Sequence, residues 1–419
     1  MPAYRTVDDI FLGDVEFWKR PIAERHEAFA ALRAEARRGG GMCFHEEITV
    51  MGGDSAGPGY WSAVTYDDVQ AVSRNQRCFS SASGVISNDP APEYLAVGSI
   101  IVMDDPRHTK FRRLVQKAFT PRMLASVAES VRVRARRLVE AAKETGGACD
   151  FVEAFAAPLP LQVICDMLGI PEHDEERVFA WTNVLLGVGD PEFVSEIGEL
   201  KAAAGAFLEY AIALGAERAD HPGDDLSSLL MQAEVDGERL TPFEFAAFVV
   251  LLALAGNETT RNAISWGMHL LTENPDQRAL LQANYGALAP RATEEIVRWS
   301  TPVIHMRRTA LADTTVGDTK VEAGEKVVMW YWSANRDETV FEDPARFDIQ
   351  RDNAIEMAGF GAGGNHFCLG ANLARREIQV LFDEIFQGLP DLEITGPPER
   401  LQANFINGIK RMPCEFSVG

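Results

Sequence analysis

Apolar residues recur every three to four positions in four long stretches, MLASVAESVRVRARRLVEAA, LPLQVICDMLG, LKAAAGAFLEYAIALGAERA and ANLARREIQVLFDEIF. That spacing lines one face of a helix. Strand-like patterning is confined to short pieces such as YWSAVTY near the start and KVVMWYW in the last third, so the pattern predicts a mainly α fold with a small β part. The most apolar run, FAAFVVLLALA from Phe245 to Ala255, holds eleven residues, whereas a bilayer span needs about 20. It reads as a buried helix and not as an integral membrane segment. Just before it, Thr241 can cap the helix, Pro242 suits the first helical position and Glu244 completes a capping box. No internal repeat appears, and the glycine and proline clusters GGDSAGPGY and SNDPAPEY mark long loops within the first hundred residues.

Composition narrows the function classes. The 419 residues are 46% hydrophobic, enough for a sizeable core, and a formal charge of -22 argues against nucleic acid as a partner. The six cysteines are widely spaced with no C-x-x-C pair, which suggests neither a zinc site nor a disulfide framework and fits a reducing compartment. The first residues show no basic segment followed by an apolar run, so a cytoplasmic protein is expected. Basic residues are nevertheless locally concentrated: RHTKFRRLVQKAFTPR, from Arg107 to Arg122, contains no acid.

Five stretches carry candidate chemistry. The apolar run ends in AGNETT. It is either a helix emerging into solvent, or a helix locally opened at Gly256 with Glu258 and Thr259 forming a proton path in a dry cavity. In EEIVRW, Glu295 and Arg298 share a helical face; such a pair is worth little when exposed, but if buried, losing one partner costs about 3–5 kcal/mol. His108 and Arg112 lie one helical turn apart in HTKFR, and Arg308 sits in RRTALAD. The fifth stretch, GFGAGGNHFCLGANLARRE, starts at Gly359 and embeds Cys368 among glycines ahead of a predicted helix. Glycines permit positive φ and close backbone approach to a flat ligand, while a helix start favours a thiolate over a thiol. A thiolate in such a loop suits an axial ligand of haem iron. A dinucleotide loop fits poorly, because GAGGNH lacks the third glycine and follows no clear strand. An inert buried cysteine leaves the glycines and His366 unexplained.

These residues carry a family resemblance. GNHFCLG resembles the G-x-[HR]-x-C-x-G haem-ligand loop of the cytochrome P450 monooxygenases, AGNETT resembles their oxygen-activating helix motif, and EEIVR contains their E-x-x-R pair. The resemblance continues through DDPRHTKFRRLVQKAFTPR, PLPLQVICDMLGIP, SANRDETVFEDPARFD and FINGIK. In one departure, the phenylalanine of the usual F-G-x-G loop sits one residue earlier, at Phe360. That longer loop looks like the actinobacterial enzymes that hydroxylate methyl-branched lipids and sterol side chains.

The resemblance implies a cytochrome P450 fold holding haem b, with Cys368 as the iron's thiolate ligand. Glu258 and Thr259 would orient water and deliver protons to dioxygen, with Gly256 leaving room for it. His108, Arg112, Arg308 and His366 would hold the haem propionates, with Phe360 and Gly370 in the cofactor loop. Glu295 and Arg298, with Asn335 and Arg336, would steady that loop without doing chemistry. Because residues near 108, 256, 308 and 368 must touch one haem, a single domain over 1–419 is expected. Electrons would come from a ferredoxin and a ferredoxin reductase. Lys110, Arg113, Lys117, Arg375 and Arg376 either receive the acidic ferredoxin or form a solvated face. Leu251, Ala255, Val303, Ile304 and Phe405 are expected pocket walls for a hydrophobic small molecule, and His305 either binds its head group or packs. The expected activity is hydroxylation of a methyl-branched lipid or sterol side chain. The alternatives are a tailoring hydroxylase or epoxidase of a polyketide or terpenoid, and a haem sensor without turnover. The intact pair Glu258 and Thr259 argues against the sensor, since binding alone needs no proton relay.

Overall fold

The computed structural model describes residues 9–47, 57–89, 99–118, 121–234 and 236–418. Eight helices position the site: α1 (Arg107–Ala118), α2 (Pro121–Lys143), α3 (Pro158–Leu168), α4 (Glu175–Leu186), α5 (Ile197–Asp220), α6 (Pro242–Glu273), α7 (Tyr285–Ser300) and α8 (Ala371–Gly388). The four periodic stretches of the sequence lie in α2, α3, α5 and α8. α6 is the axis of the molecule, with α3, α4, α5, α7 and α8 packed around it.

The start of α6 is the expected capping box: the Glu244 N–H donates to Thr241 Oγ1 at 3.1 Å, and the Thr241 N–H donates to Glu244 Oε2 at 2.9 Å. Among the described residues it is the one helix long and apolar enough to cross a membrane, with a window of mean hydropathy 1.3. Its neighbours on every flank make it the helix of a protein core. Through AGNETT the helix neither opens nor leaves the interior: it runs unbroken for 32 residues, with Asn257, Glu258 and Thr260 buried. Gly256 keeps its helical conformation. A Cβ there would stand 3.3 Å from Ile164 Cδ1 of α3, a tight contact that glycine avoids.

The β part is small. A five-stranded sheet has the order β1 (Cys43–His45), β2 (Tyr60–Ala63), β8 (Lys326–Met329), β5 (Met306–Ala310), β3 (Phe79–Ser80), with β2 and β8 parallel and the other pairs antiparallel. A hairpin pairs β6 (Thr314–Val316) with β7 (Thr319–Val321). Near the C-terminus, β10 (Glu399–Arg400) pairs with β11 (Ile409–Arg411), and β12 (Pro413–Glu415) lies between β4 (Ala148–Asp150) and β9 (Glu393–Ile394). The strand predicted from KVVMWYW stops at Met329; Tyr331–Ala334 forms one helical turn. There Trp330 and Trp332 pack into a core with Trp18 and Phe29.

The E-x-x-R pair is fully buried. Arg298 forks onto Glu295 through Nε and Nη2 at 2.6 and 2.7 Å, and Nη1 donates to the carbonyls of Asn335 and Pro344. Arg351, unforeseen from sequence, bonds the same carboxylate at 3.2 Å and donates to the Glu342, Asp343 and Arg346 carbonyls. Asn335 Oδ1 accepts the N–H of Ala358 at 2.6 Å, immediately before the cysteine loop. Arg336 stacks 3.9 Å over Trp332. Glu295→Ala would strand two buried guanidinium groups. We expect a loss of about 3–5 kcal/mol in denaturant titrations of the haem-loaded protein, and an unchanged midpoint would refute the structural role of this carboxylate.

Candidate active site

The cysteine loop is held by its own backbone. The Cys368 N–H donates to the Phe360 carbonyl at 2.9 Å, and Gly361, Gly363 and Gly364 have φ of 97°, 88° and 81°. Such conformations favour glycine. At Gly364 there is also no room, since a Cβ would lie 2.5 Å from the Ser73 carbonyl oxygen. The Phe360 ring lies under the Arg375 guanidinium, 4.4 Å from ring centroid to Cζ.

Cys368 is accessible by surface, but that surface is ringed by protein. Desolvation is accordingly the largest influence on the thiol and raises its pKa, opposed by the backbone N–H groups of Gly370 and Ala371 and by Arg112 and Arg375. These donors at the start of α8 are placed to stabilise a thiolate once a cation is bound to the sulfur.

Nearby lies a cluster rich in cations. His108 and His366 have ring centroids 4.3 Å apart, and Arg308 and Arg112 depress the pKa of both. β5 explains the placement of Arg308, because consecutive strand residues face opposite ways: Arg307 binds Asp89 and the Ser83 and Asn88 carbonyls, and Arg308 turns toward the histidines. Burial is the main reason the His108 and His366 pKa values fall, the latter to about 3. His108 Nδ1 is buried without a hydrogen bond, with Asp105 Oδ1 4.0 Å away, and Arg308 is buried with its one hydrogen bond directed to the Arg307 carbonyl. A buried guanidinium and a buried imidazole, each with an unspent donor, fit the two carboxylates of a haem. The other two expected ligands are already engaged: Arg112 donates to the carbonyls of Asn365 and Phe367, both at 2.9 Å, and His366 bonds Ser81 Oγ and the Met103 backbone. A propionate would have to share or displace these partners.

Along α6, Leu251, Gly256 and Thr259 are half-buried and Ala255 is exposed, in a stretch where Val250, Leu252 and Leu254 are half-buried too. The Thr259 hydroxyl donates to the Ala255 carbonyl at 2.7 Å, leaving its oxygen free to accept. Glu258 is buried; Oε1 accepts from Arg261 Nη2 at 2.5 Å and Asn262 Nδ2 at 3.0 Å, and Oε2 has no protein partner. Arg261 was not foreseen, although its i, i+3 spacing from Glu258 was available in the sequence.

Two of the expected wall residues share one apolar cluster. Val303 and Phe405 pack with Phe193, Leu401, Ala403 and Ile406. Ile304 does not: it is 1% exposed and joins the tryptophan core. The segment is extended, its Ile304 N–H donating to the Phe405 carbonyl at 2.9 Å, so adjacent side chains take opposite faces. His305 is also committed, with Nε2 accepting the Ser87 N–H at 3.1 Å and Nδ1 donating to the Asn404 carbonyl at 3.2 Å. It packs and offers nothing to a head group. On the cysteine-loop side, Lys110 pairs with Glu238 and Arg375 with Glu294, leaving Arg113 and Arg376 exposed; the Lys117 side chain lies outside the described residues.

The comparisons with known proteins agree with this geometry. Residues 215–390 match the Cytochrome P450 family model. The chain is 48% identical over 414 residues to a methyl-branched lipid omega-hydroxylase of Mycobacterium tuberculosis, covering 98% of this chain and 95% of the relative. The chain belongs to the cytochrome P450 family. A steroid C26-monooxygenase of Rhodococcus jostii is 43% identical to this P450 over 86% of its chain and 76% of the relative. A Mycobacterium marinum cytochrome P450 solved with pseudoionone superposes with a TM-score of 0.92 at 42% identity, covering 99% of this chain and all of that one. This P450 is therefore a monooxygenase that binds haem b through a cysteine thiolate and takes electrons from redox partners.

Two histidines away from the cysteine loop set an acid limit on this P450. Burial, the largest cause, and then Arg336 lower the His26 pKa from 6.5 to about 2; burial lowers that of His305 to about 3. Both folded values lie below the unfolded one, so the neutral-histidine contribution is fully present above about pH 6.5 and is lost as pH falls toward 3. Denaturation midpoints should decline steadily from pH 7 to pH 4. A flat profile would mean that neither ring is held neutral.

Proposed function

We propose that this P450 hydroxylates the terminus of a methyl-branched lipid or sterol side chain in the cytoplasm, using dioxygen and electrons from a ferredoxin supplied by its reductase. The observation that carries this reading is the 48% identity along nearly the whole chain to a methyl-branched lipid omega-hydroxylase. The apolar cluster of Phe193, Val303, Phe405 and Ile406 supports it, because an aliphatic chain end needs walls without hydrogen-bonding demands.

Haem, when bound, supplies the activation of dioxygen and the insertion of one oxygen atom into a C–H bond. The chain's own residues do the rest. Cys368 holds the iron while the Gly370 and Ala371 N–H groups steady the sulfur's charge. His108 and Arg308, with Arg112 and His366 at the margin, hold the propionates, and Phe360 fixes the loop. Thr259 Oγ1, its proton given to the Ala255 carbonyl, accepts a hydrogen bond from water beside Ala255. Glu258 relays protons with Thr259, held through Oε1 by Arg261 and Asn262 while Oε2, without a protein partner, orients the water. Gly256 serves by letting α3 approach. The whole chain acts as one domain in this reading, and Arg113 and Arg376 form the face that meets the acidic ferredoxin.

Titration of the ferric enzyme with branched fatty acids, sterols, terpenoids and macrolides, followed by product analysis, tests the substrate class. Spectral shifts with branched chains and a terminal alcohol as product are expected; shifts confined to macrolides or terpenoids would overturn the lipid assignment. Thr259→Ala should leave haem and substrate binding intact while lowering product per electron by about tenfold or more, the balance appearing as hydrogen peroxide. Unchanged coupling would remove Thr259 from the proton path.

A further inference from the structure

In the sheet that joins the C-terminal strand to the front of α3, Cys149 of β4 lies directly opposite Cys414 of β12. Their sulfurs are 3.5 Å apart. We propose that Cys149 and Cys414 are a redox modification site, which closes to a reversible cross-strand disulfide when the enzyme meets hydrogen peroxide.

The backbone geometry permits the bond. Opposed residues of an antiparallel pair have Cα atoms about 4.5–5.5 Å apart, within the roughly 4.4–6.8 Å that disulfides span. The sulfurs must close to about 2.05 Å. The strand that can yield is β4, which has three residues and lies at the sheet edge, paired to β12 alone. Cys414 is fixed, 1% exposed, in the central strand, with Ile394 of β9 on its other side.

The two thiols also have different parts to play. Cys149 is half-buried and within reach of a small oxidant, whereas Cys414 is sealed. The hydrogen bond between them lowers the Cys149 pKa and raises that of Cys414, although burial, Asp150 and Glu153 oppose the first effect. Cys149 is therefore the attacking thiolate. It displaces hydroxide from hydrogen peroxide, breaking the O–O bond and becoming a sulfenic acid; the hydroxide takes up the proton that Cys149 gave away. Cys414 then attacks the sulfenic sulfur, the S–O bond breaks, and the departing hydroxide leaves as water with the Cys414 proton. Two thiols are oxidised, one peroxide is reduced and two waters form. The oxidant is at hand, because a monooxygenase releases peroxide whenever electrons reach dioxygen without substrate oxidation.

The crosslink would join residues 265 positions apart. It would pin the end of the chain, whose preceding turn carries Phe405 and Ile406, to the segment entering α3. Loops of that length gain the most from closure in the unfolded-state account of disulfides.

The experiment uses haem-loaded enzyme exposed to a few equivalents of hydrogen peroxide and, separately, to diamide, a thiol oxidant that spares haem. The protein is then alkylated and digested without reduction. A peptide pair joined through Cys149 and Cys414, lighter by two hydrogens than the separate thiol peptides, is expected in most molecules. Dithiothreitol should remove it. The thermal midpoint should rise by a few degrees on oxidation and fall back on reduction, and Cys149→Ser and Cys414→Ala should each abolish both the crosslink and the rise. Full alkylation of both cysteines under excess diamide would overturn the proposal. So would a crosslink that forms only in denatured protein, or oxidation of Cys149 to the sulfinic acid with Cys414 still a free thiol.

Discussion

One carboxylate, that of Glu295, holds together a long segment that has no regular structure. Between Asn335 and Arg351 the chain winds through turns, and its carbonyls have neither helix nor ladder to receive them. Arg298 and Arg351 supply the missing donors, and both guanidinium groups depend on the same carboxylate for charge balance. A buried ion pair is often no better than an apolar contact. Here it also satisfies the carbonyls of Glu342, Asp343, Pro344 and Arg346, which no hydrocarbon can do. Through Asn335 and Ala358 the same network fixes where the cysteine loop begins.

The electrostatics of the site divide into two halves. Near the cysteine loop, buried His108 and Arg308 make few hydrogen bonds to protein, and in the proposed reading a ligand bearing negative charge offsets their burial. On the α6 side the opposite holds: Glu258 is clamped by Arg261 and Asn262, and only one of its oxygens is left open. In the proposed reading the first half recognises a cofactor, and the second offers water one open carboxylate oxygen. An unbroken α6 carries both Thr259 and Glu258 without the local opening that AGNETT suggested.

What could be read from sequence follows the range of the forces involved. Helix periodicity and the Thr241 capping box are local, and they matched the structure. So did the glycine loop around Cys368, where the need for positive φ is written in residue type. Arg351 was invisible because its partner lies 56 positions away. Opposed Cys149 and Cys414 were equally hidden: cysteine spacing along the chain says nothing about strands that meet only through the fold. Ile304 was misplaced because the segment around it is extended without looking like a strand, and one step along such a backbone changes which side a residue serves.

That single step divides the constraints on neighbouring codons. Val303 meets the apolar wall and Ile304 meets the tryptophans, although the two are adjacent in the chain. If that cluster lines the substrate, drift at position 303 remodels which molecules are accepted while the protein keeps folding; drift at 304 is charged to the core and is purged whatever the substrate. Under the proposed function, a lineage of such enzymes can therefore change its diet through Val303, Phe193 and Phe405 without risking the scaffold, an evolutionary freedom that the cysteine loop, locked by Gly364 and Asn335, does not share.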